Sequence, residues 1–389
     1  QANVPLVLGS ATPSLESWYR ARSQRDRLVS MPSRVADRPL PVVTTIDLRD
    51  EFRRPGSRGA LAQEMVVGME EALAAEGQII LLLNRRGFST HIQCPACGEV
   101  LKCSSCDIAL TQHAEIQRVV CHYCDFQEST PDRCPACRFD GIRFGGLGTE
   151  RLEAEVQRRF PDARVLRMDT DTMRRPGSHE EALDRFRQGE VDILLGTQMI
   201  AKGLDFPTVT LVGVINADTA LHLPDFRAGE RTFQLVTQVA GRTGRGTRRG
   251  KVLVQSYNPE HFAIQAATQH DYVKFADHEL EMRTEFNYPP VTQLIRIVFR
   301  GAAEESTKAF AEHAAQRVRA QMESDRVEAR MLGPVAAPLA KLRGKFRYHF
   351  LIQTKDLIAT ADVVRRVRDE LNAPPDIQWI VDVDAISML

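Results

Sequence analysis

Apolar positions along residues 61–256 fall into two alternating textures. Short apolar runs at 78–84 (QIILLLN), 192–195, 209–215 (VTLVGVI) and 251–256 (KVLVQS) are those of strands buried on both faces, and 164–168 reads as a further strand. Between them, stretches with apolar residues every three or four positions predict helices at 61–75, 149–160 and 179–187. Strand–helix alternation of this kind predicts a parallel sheet covered on both sides. Ligands then bind at the C-terminal ends of the strands, where Asn84 and Thr197 stand. Residues 4–9 (VPLVLG) read as one more buried strand, followed by Gly9-Ser10-Ala11-Thr12-Pro13 and a helix capped by Ser14. Residues 31–60 are rich in Pro, Arg, Gly and Ser around one short strand at 42–46 and read as a connector. From residue 271 the rhythm changes. Helices at 271–284, 304–322 and 357–371 and strands at 294–299, 346–353 and 377–383 predict a second, smaller α+β domain.

Length and charge add bounds. A chain of 389 residues has room for two or three domains. Its 51 Lys+Arg balance 51 Asp+Glu, so a polyanion partner would have to be met by local basic patches and not by the whole-molecule field. No apolar run approaches a membrane span, and the start lacks the basic region of a signal peptide, so a cytoplasmic protein without membrane contact is expected. The chain opens without Met on an apparent strand, so a missing N-terminal part is expected.

All eight cysteines fall in four C-x-x-C pairs, Cys94/Cys97, Cys103/Cys106, Cys121/Cys124 and Cys134/Cys137. Two such turns facing each other place four thiolates around one tetrahedral Zn²⁺, so eight make two sites. The outer pairs share Cys-Pro-Ala-Cys and the inner pairs share Cys-x-x-Cys-Asp, and residues 107–120 are long enough for a hairpin. Nesting is therefore expected, with Cys94, Cys97, Cys134 and Cys137 on one zinc and Cys103, Cys106, Cys121 and Cys124 on the other. Redox pairs and iron–sulfur clusters are the competing chemistries. His113 and His122 are expected to be bystanders. So short an insert buries little core, so removing zinc should unfold it and leave the sheet domain standing.

Residues 196–246 concentrate the remaining chemistry. A loop (196–207) and a strand lead into a helix expected to run to Gly246, placing Gln238, Arg242 and Arg245 on one face. Paired guanidiniums suit the charge of a phosphoryl group in transfer. A basic last turn complementing the helix dipole is the plainer alternative. Further on, Lys341, Arg343, Lys345, Arg347 and His349 alternate with apolar residues and Gly344. In one extended strand all five would share a face, either as a phosphate- or acidic-peptide-binding rail or as a protected sheet edge.

Thr197, Gly203, Asp205, Gln238, Arg242 and Arg245 together resemble motifs V and VI of superfamily 2 helicases, and GSAT resembles motif III. With LLLNRRGFS, the four cysteine pairs, GLGTERLEAEV, PDFRAGERTFQLVTQVAGRTGR and GPVAAPLAKLRGKFRYHFLIQ, the chain resembles the C-terminal part of the PriA family of primosomal replication-restart helicases. The resemblance implies an α/β fold: a RecA-like superfamily 2 helicase second lobe with an inserted double zinc-binding module, followed by a smaller α+β domain. It implies the end of lobe 1 at 1–30, a connector at 31–60, lobe 2 at 61–93 and 138–270, the zinc insert at 94–137 and the α+β domain at 271–389. It further implies an ATP- and Mg²⁺-dependent 3′-to-5′ DNA helicase that recognises stalled forks and assembles the primosome. Arg242 and Arg245 would be catalytic, Gly203, Asp205 and Gln238 would line the nucleotide cleft, and Arg85, Thr197, Lys202, Lys341, Arg343 and Lys345 would meet DNA. Expected partners are forked and single-stranded DNA, the single-strand DNA-binding protein, primosome proteins and the replicative helicase loader; a monomer is expected. Val291 after Tyr-Pro-Pro and Ala385 after Asp-Val-Asp depart from the family pattern. No G-x-x-x-x-G-K-[ST] occurs in these residues, so they are expected to hydrolyse no ATP alone. The alternative is a non-catalytic module for fork binding and primosome assembly.

Overall fold

The structure, a computed structural model, describes residues 5–31, 40–54, 59–83, 92–113, 117–140, 143–144, 149–169, 172–173, 175, 177–197, 206–241 and 250–388. The chain divides into two compact units. One comprises Gln1–Arg86, Leu147–Leu221 and Gly229–Leu280, the other Gly87–Gly146, His222–Ala228 and Glu281–Leu389.

The first unit is built on a six-stranded parallel sheet in the order Val42–Asp47, Lys251–Ser256, Val209–Val214, Gln78–Leu82, Ile193–Gly196, Val165–Met168. The expected strands are there, and the inner ones are buried because both faces of the sheet are covered; Val165–Met168, at the sheet edge, is half-buried except for Met168. All five residues of Gln78–Leu82 are buried, Ile79 and Leu81 toward one core, Ile80 and Leu82 toward another. The first core packs helices Gln63–Ala74 and Thr149–Arg159; the second packs Ser178–Arg187 and Ala228–Ala240. The short strand of the connector is thus a member of the sheet, paired in parallel along Lys251–Ser256.

Two expectations for this unit change. Residues 5–10 are not a buried strand: they form no ladder with any described strand, and Leu6, Val7 and Leu8 are exposed. An apolar run becomes a strand only where a neighbour supplies the hydrogen bonds. Ser14 does cap helix Leu15–Arg22, accepting from the Ser17 amide. Leu15 and Trp18 of that helix join the second core, with the Leu15 amide donating to Glu230 Oε1 at 3.1 Å and Tyr272 Oη donating to Pro13 O at 2.9 Å. Phe275 and Ala276 pack there too, so the sheet unit extends past residue 270.

The second unit carries an antiparallel four-stranded sheet in the order Ala329–Leu342, Lys345–Thr354, Gln293–Gly301, Gln378–Val383. One face, with Ile295, Ile297, Phe299, Phe350 and Ile352, is covered by helices Glu304–Ser324 and Leu357–Glu370. The other face, with Leu294, Leu332 and Leu351, shares a core with Ile92, Ile108, Leu110, Val119 and Tyr123 of the cysteine insert. The apolar pattern does not predict strand Ala329–Leu342. Its Gly and Pro residues mask it, and the cis Gly333–Pro334 peptide falls where its pairing shifts.

Candidate metal centres and the motif helix

Each cysteine pair folds the same way. The residue after the second cysteine (Gly98, Asp107, Asp125 or Arg138) takes positive φ, between 49° and 82°. Its amide donates to the carbonyl of the first cysteine, at 2.8, 2.8, 3.0 and 2.9 Å respectively. The amide of the first cysteine in turn donates to the residue five positions on: Cys94 to Glu99, Cys103 to Ile108, Cys121 to Phe126 and Cys134 to Phe139. Four copies of one turn therefore present both thiols of each pair toward a common point.

The pairs assemble first with fourth and second with third. The sulfurs of Cys94, Cys97, Cys134 and Cys137 lie within 4.8 Å of one another, as do those of Cys103, Cys106, Cys121 and Cys124. Strands Thr111–His113 and Arg118–Val120 pair antiparallel and return Cys121 toward Cys106. Strands Ile92–Gln93 and Arg143–Phe144 pair antiparallel at the ends of the insert.

The donor set fits zinc. Sulfur–sulfur separations are 3.7 Å for Cys94–Cys137, 3.6 Å for Cys97–Cys134 and 3.6 Å for Cys103–Cys124. A tetrahedron with Zn–S of about 2.3 Å has edges of about 3.8 Å, whereas a disulfide needs about 2.05 Å. Thiols crowded in this way oppose each other's ionisation. Hydrogen bonds with Cys106 and Cys121 pull Cys103 down, while the bond to Cys103, then that to Cys121 and burial push Cys106 far up. A divalent cation removes that conflict. The inner set is mostly buried, whereas Cys137 of the outer set is exposed.

His122, expected to be a bystander, holds the insert to the C-terminal sheet. Its Nδ1 donates to Ala336 O at 2.7 Å, and its own carbonyl accepts from His349 Nε2 at 2.7 Å. His349 Nδ1 in turn accepts from Arg296 Nε at 3.2 Å. Tyr288 Oη donates to Cys106 O at 2.9 Å, and Tyr123 Oη accepts from the Phe226 amide at 3.3 Å. No sequence signal marks His122 or Tyr123, because their role lies in contacts about 100 to 230 residues away along the chain. Tyr288, beside Pro289-Pro290, sits in a visible turn signal that does not disclose what it touches.

The basic stripe does not form one strand, which corrects the expectation above. Arg343 and Gly344 are the central residues of a two-residue turn, both with positive φ, 51° and 78°. The right-handed twist of a hairpin favours such a turn. Lys341 and Lys345 therefore stand on different strands, and Lys341 Nζ lies 4.5 Å from the centre of the Phe346 ring. Lys341 and Arg343 are exposed and Lys345 half-buried, whereas Arg347 and His349 are buried.

In the first unit, Thr197 follows strand Ile193–Gly196 directly and is half-buried. The motif helix closes at Ala240, with Gly241 in a turn, so the described helix stops short of the expected Gly246. Gln238 lies exposed in its last turn. Arg85, Lys202, Gly203, Asp205, Arg242 and Arg245 lie outside the described residues. Nearby, the carboxylate of the fully buried Asp218 accepts from the Tyr257 amide at 2.8 Å and from Asn258 Nδ2 at 3.1 Å. It ties the segment after the central strand to the one after Lys251–Ser256.

Three family models match the chain: the PriA DNA helicase Cys-rich region (CRR) domain over residues 103–128, the helicase conserved C-terminal domain over 148–247, and the primosomal protein N C-terminal domain over 284–386. Replication restart protein PriA of Bacillus subtilis (strain 168) is 44% identical over 363 residues, covering 93% of this chain and 45% of that protein. PriA of Treponema pallidum (strain Nichols) is 40% identical over 390 residues, covering 100% and 58%, and that of Synechocystis sp. is 39% identical, covering 99% and 46%. The chain thus spans about half the length of the curated relatives it matches. A solved structure of Saccharomyces cerevisiae Dbp5 bound to RNA and ADP BeF3 is similar over 71% of this chain and 53% of that one, at 14% identity and a TM-score of 0.34. The fold is accordingly α/β, a helicase second lobe with an inserted module of two four-cysteine groups and a smaller α+β domain after it. Matched from the cysteine-rich insert through the motif helix to the C-terminal sheet, the chain belongs to the PriA family of replication restart proteins.

Proposed function

We propose that these residues are the second motor lobe, zinc module and C-terminal domain of an ATP-driven 3′-to-5′ DNA helicase that recognises stalled forks and assembles the primosome. The observation that carries this reading is the placement of the motif residues. Gln238 is exposed in the last turn of the motif helix, shortly before Gly241-Arg242-Thr243-Gly244-Arg245 in the sequence, and Thr197 directly follows strand Ile193–Gly196. Thr197 thus follows the C-terminal end of a strand of the parallel sheet, the kind of position where such sheets hold ligands.

In this reading Arg242 and Arg245 reach the phosphates of an ATP·Mg²⁺ seated on a first lobe, with Gly203, Asp205 and Gln238 lining the cleft. Thr197, Lys202 and Arg85 meet the DNA backbone, and at the hairpin tip the exposed Lys341 and Arg343 and the half-buried Lys345 add cations. Cys94, Cys97, Cys134 and Cys137 hold one zinc, and Cys103, Cys106, Cys121 and Cys124 the other. Zinc supplies folding energy to turns too short to hold themselves. Single-strand DNA-binding protein, primosome proteins and the helicase loader are the proposed partners.

In a protein that also carries a P-loop lobe, Arg242→Ala and Arg245→Ala should each lower DNA-stimulated ATP hydrolysis by about 10³-fold or more, as loss of an arginine finger does. Fork binding should persist. The 389 residues alone should hydrolyse no ATP. Turnover unaffected by either substitution would leave a binding and assembly module as the reading.

A further inference from the structure

The face of the C-terminal sheet that meets the insert also carries an unbalanced pair of cations. The antiparallel pairing sets Arg300 directly across from Arg347. Residues directly opposed share a face with Cβ atoms about 5 Å apart, and like charges there repel. Arg347 is only 4% exposed and Arg300 is half-buried. The Nε of each is buried without a hydrogen-bond partner. Arg347 Nη1 reaches the carbonyl of Leu339 at 3.3 Å, and neither guanidinium forms an ion pair among the described residues.

Neighbouring positions sharpen the imbalance. Arg296 has Asp382 across from it on strand Gln378–Val383, but the residue across from Arg300 on that strand is the neutral Gln378. Burial, then Arg296 and Arg300, pull Arg347 down to about 10, far below an ordinary arginine. Two residues before Arg347 on the same face, Lys345 is half-buried, and Arg343 beyond it is exposed. Cations thus run from the exposed tip to a buried end.

A buried guanidinium left without an anion is costly, and no carboxylate among the described residues relieves it. We propose that Arg300 and Arg347, with Lys345 at the rim, form a seat for one phosphate group. A phosphate offers several acceptor oxygens to two planar forks at once. Its source, if the DNA-acting reading above holds, is a backbone phosphate of DNA; free phosphate is the other source of the same chemistry.

The test compares the intact protein with Arg300→Gln and Arg347→Met in chloride and in inorganic phosphate at equal ionic strength. Phosphate should raise the melting temperature of the wild type above its chloride value, and both substitutions should abolish that rise. Should Arg347→Met fail to fold, Arg300→Gln reads the same response from a half-buried position. The logarithmic salt dependence of DNA binding should also flatten by about one unit in Arg300→Gln. No phosphate-specific rise, or an equal rise in wild type and variants, would overturn the seat. A lost rise with an unchanged DNA salt slope would uphold the seat but overturn DNA as its source. A lost rise in a protein that binds no DNA at all would uphold the seat and refute the DNA-acting reading.

Discussion

Single backbone angles decide the cysteine turns. Position 98 is Gly at φ 82°, positions 107 and 125 are Asp, and position 138 is Arg at φ 62°. Left-handed backbone is free to Gly, tolerated by Asp and strained for Arg by about 1–2 kcal/mol. Arg138 is exposed, so Arg138→Gly should be neutral to stabilising by about 1 kcal/mol, whereas Gly98→Ala should cost about that much, read by thermal unfolding of the zinc-loaded protein. At the same scale, His349 is fully buried and must be neutral to accept from Arg296 while donating to His122 O. Burial, then Arg296, holds its pKa well below the ordinary value of about 6.5. The unfolded chain therefore binds a proton that the folded one refuses. Stability is full above pH about 6.5 and is lost as pH falls from there through the folded pKa, at up to about 1.4 kcal/mol per pH unit. His349→Gln should flatten that part of the stability–pH curve. An unchanged acid limb would place the proton uptake on other groups.

Elements are specified by how closely they approach one another. Gly213 lies in the buried strand Val209–Val214, where an added Cβ would stand 2.7 Å from Leu81 Cδ2 and 2.8 Å from Met65 Sδ. Neither neighbour can withdraw without disturbing the core between sheet and helix Gln63–Ala74, so Gly213→Ala should cost about 1–3 kcal/mol in chemical denaturation. A cost near zero would mean that this core repacks. The same strand is readable from its unbroken apolar run, because a parallel strand between two layers has no polar face. The basic stripe is not readable in the same way, because alternation alone cannot reveal a turn. Arg343-Gly344 lacks the Asn-Gly usual there, and the two positive φ angles are imposed by the pairing of the strands that flank them.

Across the second unit, the insert and the C-terminal sheet bury side chains together. Leu294, Leu332, Leu351 and Met388 join Ile108, Leu110, Val119 and Tyr123 in one core. Zinc removal should therefore reach beyond the insert. In the presence of a chelator, amide protection should be lost across residues 92–140 and weakened along Ala329–Leu342, while Gln78–Leu82 in the other unit stays protected. Hydrogen exchange resolves these segments. Unchanged protection along Ala329–Leu342 would restore the self-contained insert expected from its length. None of the described helices is long and apolar enough to cross a membrane.

The chain by itself determined whatever is written in local order. Buried strands appear as apolar runs, the two four-cysteine groups as four spaced thiol pairs, and the helicase lobe as motifs of fixed spacing, since each depends on neighbours within a few residues or on chemistry that few residue types provide. Tertiary structure alone decided what depends on distant partners. It drew the connector strand into the sheet, left residues 5–10 without a ladder, made His122 a clasp and set Arg300 against Arg347. Pairing across a sheet joins positions tens to hundreds of residues apart, and period two along one strand carries no information about what stands opposite.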